Sequence, residues 1–320
     1  MKSPCIAQLV TLAVLVFGGV ETASANPIYS FATVDVPGAL DAYAQGVNNS
    51  GQIVGWFMDP SGREHGFFDM GGNLTTIDVP GAYNTVVYGI NNSGQIVGEF
   101  QAFGGPYQGF LDTGGSFTTI DVPGAYDTVA FGINNSGQIV GYFDAFGGPP
   151  QGFLDTGGSF TTVDVPGALD TVARGINNSG QIVGVFDDTL GRHGFLDTGG
   201  SFTTIDVPGF AGETEVFGIN DSGQIVGYYP TMGEHGFLDM GGSLTIIDVP
   251  GATLTVAYGI NDSGQIVGSF LGDGEVSGYL ATPATTLEPP SSLTLALCLV
   301  ALFAIAYRRK GARDGDRPPA

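Results

Sequence analysis

Read for alternating apolar and polar positions, residues 28–283 repeat one text six times. The segment Gly-Ile/Val-Asn-Asn/Asp-Ser-Gly-Gln-Ile-Val-Gly starts at Gly46, Gly89, Gly132, Gly175, Gly218 and Gly259, with four steps of 43 residues and one of 41. Each copy holds four short runs rich in β-branched and aromatic residues, bounded by turn residues. In the third copy the runs are 116–122, 128–133, 138–143 and 151–155. Pro123-Gly124 suits a type II turn. Asn134-Asn135-Ser136-Gly137 suits a hairpin loop closed by glycine. Thr156-Gly157-Gly158 reads as the turn into the next copy. No stretch shows a capped helical period.

Four antiparallel strands per copy of about 43 residues predict an all-β fold, a six-bladed β-propeller. Such a ring has no exposed sheet edge. A β-solenoid is the alternative, disfavoured because hairpin turns make meanders rather than parallel coils. The copies run in phase from Tyr29 to Leu280, so no strand exchanged between the first and last blades is visible. Within each third run, an aromatic recurs at Phe57, Phe100, Phe143, Phe186, Tyr229 and Phe270. The position before it varies freely: Trp56, Glu99, Tyr142, Val185, Tyr228, Ser269. Alternation along a strand therefore predicts a packed face at the Phe57 position and an exposed face at the Trp56 position.

The two ends read differently. Residues 1–25 have the form of a secretory signal peptide: Lys2, an apolar run over 9–20, then Ala23-Ser24-Ala25, with cleavage expected between Ala25 and Asn26. Residues 284–292 form a Pro/Ser/Thr linker, 293–307 an apolar segment and 308–320 a basic tail. The apolar segment would reach about 22–26 Å as a helix, a short transmembrane span. Arg308, Arg309 and Lys310 would stay in the cytoplasm. Glu288-Pro289, the apolar segment and Arg308-Arg309, in that order, resemble the PEP-CTERM sorting tail of bacterial exported proteins. The resemblance implies an exosortase-type processing enzyme as partner, a membrane tether through the C-terminal helix, and delivery to the cell surface or exopolysaccharide. Leu287 stands where that family has proline, and the chain runs ten residues past the basic cluster.

The copies themselves resemble the HAF extracellular repeat, in which Gly-Ile-Asn-x-x-Gly-Gln-Ile-Val-Gly is followed by His-Ala-Phe. Here the second part reads His65-Gly66-Phe67, His193-Gly194-Phe195 and His235-Gly236-Phe237, with Gln108, Gln151 and Ser277 at the histidine position elsewhere. The resemblance implies an exported repeat protein and no particular activity.

Charge narrows the partners. Residues 26–287 carry only Arg63, Arg174 and Arg192 against 27 acidic residues, a net of −24. Nucleic acid, whose phosphates require Lys and Arg, is excluded as a partner. Cys5 and Cys298 lie outside the repeats, so the body has no thiol chemistry. His65, His193 and His235 come from copies one, four and five, which are too far apart around a ring to bind a metal together. The Asp of each Asp-Val-Pro-Gly motif (Asp35, Asp78, Asp121, Asp164, Asp206, Asp248) could ring a central channel and bind calcium. The competing reading is a turn-stabilising Asp. No cofactor is otherwise expected.

An active site needs unlike residues converging at one place, and nearly every polar residue here is repeated. No nucleophile elbow, zinc spacing or phosphate loop occurs. The asymmetric features are Trp56, Arg63, Arg174, Arg192 and the longer loops 102–107 and 145–150, which carry Phe103 and Phe146. These loops expose an aromatic and could hold a saccharide. Together with the three histidines they are the binding candidates. The expected function is a non-catalytic structural or binding role in the extracellular matrix. The alternative is a propeller enzyme acting on extracellular glycans, which would gather one-copy acids and bases at one channel mouth.

Overall fold

The computed structural model describes residues 28–284, apart from Ala211, Met232 and Asp273. The expectations for the signal peptide, linker, sorting tail and C-terminal helix lie outside these residues. Among the described residues no helix is long and apolar enough to cross a membrane.

Six four-stranded antiparallel sheets form the blades of a propeller. Blade 1 runs outward from the axis as Asp41–Val47, Ile53–Met58, Glu64–Asp69 and Leu74–Ile77. Blade 6 is Leu254–Ile260, Ile266–Gly272, Glu275–Pro283 and, as its outer strand, Tyr29–Val34. Tyr29 pairs with Pro283 and Val34 with Gly278, so the N-terminal strand fastens the ring. This is the strand exchange that the in-phase copies did not reveal.

The reason lies in the turns. Gly114 and Gly115 have φ of 63° and 89°, the double left-handed geometry of a tight hairpin. Thr113 and Ser116 pair across it. The Gly-Gly turn therefore folds each copy's first run back onto the preceding blade. The Pro-Gly turn, in which Ala125 N donates to Val122 O at 3.0 Å, makes the step to the next blade's inner strand. The text of one copy thus straddles two blades.

The core lies between blades. Phe67, Phe110, Phe153, Phe195, Phe237 and Tyr279, on the third strands, are the large buried side chains. Phe195 of blade 4, for example, shares a cluster with Val140 of blade 3 and Val163 on the outer strand of that blade. Each blade is sandwiched by its neighbours, so both faces of the second strand are covered. Ile53 and Val54 are both buried, as are Val185 and Ser269 in the freely varying position. The expected exposed face is therefore incorrect: that position faces the central channel. The Phe57 position is less buried than predicted, and only Phe186 and Tyr229 are fully enclosed.

Candidate functional site at the channel mouth

Every inner strand carries a β-bulge one residue before its conserved glycine. In blade 4 the register slips between Ala173 and Gly175, and in blade 3 between Ala130 and Gly132. The same slip occurs in the other four blades. A bulge leaves one residue unpaired and re-aims its side chain. The six residues so released, Gln45, Tyr88, Phe131, Arg174, Phe217 and Tyr258, line the channel. The glycines that follow let adjacent inner strands touch: a Cβ on Gly132 would lie 2.8 Å from the Arg174 carbonyl oxygen. The Arg174 guanidinium lies 4.5 Å from the Phe131 ring centre and 5.1 Å from that of Phe217.

Beyond this ring, on the side where the second and third strands are joined, the channel widens to a cavity of about 340 Å³. Trp56 stacks on Tyr43 across the first two strands of blade 1, with ring centres 4.2 Å apart. Tyr228 donates its hydroxyl to Glu215 at 3.1 Å, and Arg192 donates to the same carboxylate at 3.1 Å. Arg192 also holds Asp187 bidentately, which keeps that carboxyl below its ordinary range. On the opposite wall Tyr88 donates to Glu99 at 3.0 Å. Burial nonetheless pushes the Glu99 carboxyl up to about 7. Burial likewise raises Glu64, and burial together with Glu215 raises Glu234.

The other mouth is rimmed by repeated residues. The backbone N–H of Asn49 donates to Asn92 Oδ1, and the pattern passes through Asn135, Asn178, Asp221 and Asp262 back to Asn49. A second circle links Asn48 Nδ2 to the Asn91 carbonyl and continues through Asn134, Asn177, Asn220 and Asn261 to Asn48. Each first asparagine also accepts from backbone N–H groups of its own loop, as Asn134 Oδ1 does from Ser136 and Gln138. The turn reading of these loops holds, but their closing of the ring was not visible within a single copy.

The sequence-derived candidates divide. Trp56 lines the wide mouth. Phe103 and Phe146 stand on the loops around it, 84% and 81% exposed. Each meets a tyrosine edge-on: Phe103 with Tyr83 at 5.2 Å, Phe146 with Tyr126 at 4.8 Å. The histidines do not converge and stay outside the channel. His65, His193 and His235 bond through Nδ1 to Asp78, Asp206 and Asp248, the motif aspartates thirteen residues on. The motif aspartates of the two blades with glutamine at the histidine position, Asp121 and Asp164, accept instead from Thr128 and Thr171 on the next blade. These aspartates follow outer strands and so do not ring the axis, which removes the geometry that a calcium site required. Among the described residues no group of three or more His, Cys, Asp or Glu is placed to hold a metal ion.

Sequence reasoning named Arg174 only as a departure from the repeat and read Glu99 and Tyr228 as exposed, and it missed Gln45, Tyr88, Phe131, Phe217, Tyr258 and Glu215. A signal existed. The residue before each motif glycine changes chemical class from copy to copy (Gln45, Tyr88, Phe131, Arg174, Phe217, Tyr258), and so does the position two residues earlier, where Tyr43 and Glu215 stand among valines.

No family model matches the chain. No curated protein matches it either. Among solved structures, the Aleuria aurantia lectin N224Q mutant in complex with Fucα1-6GlcNAc is similar at 13% identity and TM-score 0.50, covering 78% of this chain and 98% of that one. SapL1 lectin in complex with α-methyl fucoside matches at 16% identity and TM-score 0.46, covering 78% and 98%. A prolyl endopeptidase matches at 14% identity and TM-score 0.45, over 73% of this chain and 39% of that one. The first likeness supports the propeller fold.

Proposed function

We propose that the chain is an exported, non-catalytic glycan-binding propeller. It would be tethered by its C-terminal segment, processed by an exosortase-type enzyme and held at the cell surface or in exopolysaccharide. One observation carries the binding reading: non-repeated aromatic and charged residues gather at one mouth of the ring, while repeated hydrogen bonds rim the other. Paired exposed aromatics on neighbouring blades, Tyr83 with Phe103 and Tyr126 with Phe146, form apolar platforms of a kind that sugar rings stack on. The fold shared with a lectin supports the same reading.

A glycan array with the full chain tests it. Extracellular polysaccharides are expected to bind, and the double variant Phe103→Ala/Phe146→Ala to lose binding at an unchanged melting temperature. Unchanged binding by that variant would remove the platforms from the account.

A second reading, an enzyme acting on extracellular glycans, is favoured by Glu99. It is a buried carboxyl with affinity for a proton near neutrality, at a mouth built of one-copy residues. Turnover of a polysaccharide by the full chain, abolished by Glu99→Gln, would establish that reading in place of the first.

A further inference from the structure

Among the described residues, two of the three arginines are engaged. Arg192 is held by Asp187 and Glu215. Arg63 donates to the Tyr83 and Ala82 carbonyls. Arg174 makes no hydrogen bond, and its Nε is buried without a partner. A bulge places it on the channel floor. The Phe131 and Phe217 rings hold its guanidinium by their π faces. Such contacts stabilise the charge but leave the in-plane N–H donors free. A guanidinium with free in-plane donors is suited to bind a carboxylate.

The space above the floor suits a small ligand. A cavity of about 340 Å³ is at the lower end of the range for small-molecule sites, which fits one sugar residue rather than a chain segment. Its walls are Trp56, Tyr228 and Tyr258, with Glu215 and Glu234 as acceptors. Glu215 is already paired with Arg192, so the uncommitted positive charge in the cavity is that of Arg174.

Resting on the glycan-binding reading, we infer that the channel mouth takes a terminal uronic acid residue, its carboxylate on Arg174 and its ring against Trp56. The hydroxyls of the sugar donate to Glu215 and Glu234. Glu99, pushed toward neutrality by burial, adds little repulsion below pH 7.

Isothermal titration of the full chain with methyl glucuronide and methyl galacturonide, against the corresponding methyl glucoside and galactoside, tests this. At least one uronide is expected to bind about tenfold more tightly than its neutral counterpart. Arg174→Gln is expected to erase that preference and Arg174→Lys to retain part of it, with melting curves confirming that both are folded. Equal affinities, stronger binding of methyl glucosaminide, or no binding of any monosaccharide would overturn the inference, whichever way the variants behave. The platform reading is judged separately, by the array binding of Phe103→Ala/Phe146→Ala.

Discussion

The two mouths of the channel are made from the same strands and end in opposite chemistry. At one, asparagine and aspartate side chains satisfy each other around two complete circles, and every blade contributes the same groups. At the other, neighbouring blades contribute tryptophan, glutamate, tyrosine, valine and serine at one equivalent position. The difference separates two uses of a repeat. Identity around a ring lets each copy satisfy its neighbour, which builds a rim. Departure from identity produces unlike groups facing one space, which a ligand requires. The second mouth therefore carries the function argued here, and the first carries stability.

Substitutions can break or sharpen that contrast. The largest effect is expected in the walls that both mouths share. Phe153→Ala removes a fully buried ring between blades and should cost about 3–5 kcal/mol in denaturant unfolding. Phe143, only half-buried, should cost less. At the asparagine mouth, Asn134→Ala deletes the acceptor of two backbone N–H groups and the donor to Asn177. It should cost about 2–4 kcal/mol and leave glycan binding intact in the molecules that remain folded.

At the open mouth the expected signature is pH dependence. Glu99 binds its proton more tightly in the folded chain than in the unfolded one, because burial raises its carboxyl to about 7 from 4.5. The contribution of Glu99 to stability is then greatest at low pH and falls as pH rises from about 4.5 to 7, by up to about 3 kcal/mol. Glu64 and Glu234, also raised, act in the same direction. Glu99→Gln should flatten the pH profile of the melting temperature; a profile unchanged by the substitution would show that Glu99 is solvated. The smallest effect on folding is expected at the outer platforms. Phe103→Ala should change stability by no more than about 0.5 kcal/mol, because a ring 84% exposed has little packing to lose.

Much of the architecture was legible in the text of the chain. The six copies, four strands each, and the Pro-Gly and Asn-Asn-Ser-Gly turns follow from local backbone chemistry. The closure did not, because local signals do not say whether Gly157-Gly158 ends a blade or folds a hairpin within one. Nor did the placement of Trp56 at the channel: alternation distinguishes one strand face from the other but not solvent from channel. Phe103 and Phe146 were found because the longer loops that carry them occur in only two of the six copies. Arg174 was noticed only as a departure from the repeat. Its position on the axis depends on a bulge, and a bulge is a register between two strands.

Hydrogen exchange on the full chain, with and without the best-binding glycan of the array, tests the division of labour most directly. The account predicts added protection in the loops 102–106 and 145–150 and in the strand segments around Trp56 and Tyr228, with none at the loops containing Asn49, Asn92 and Asn135. Protection at the asparagine end alone, or no glycan that alters exchange anywhere, would contradict it.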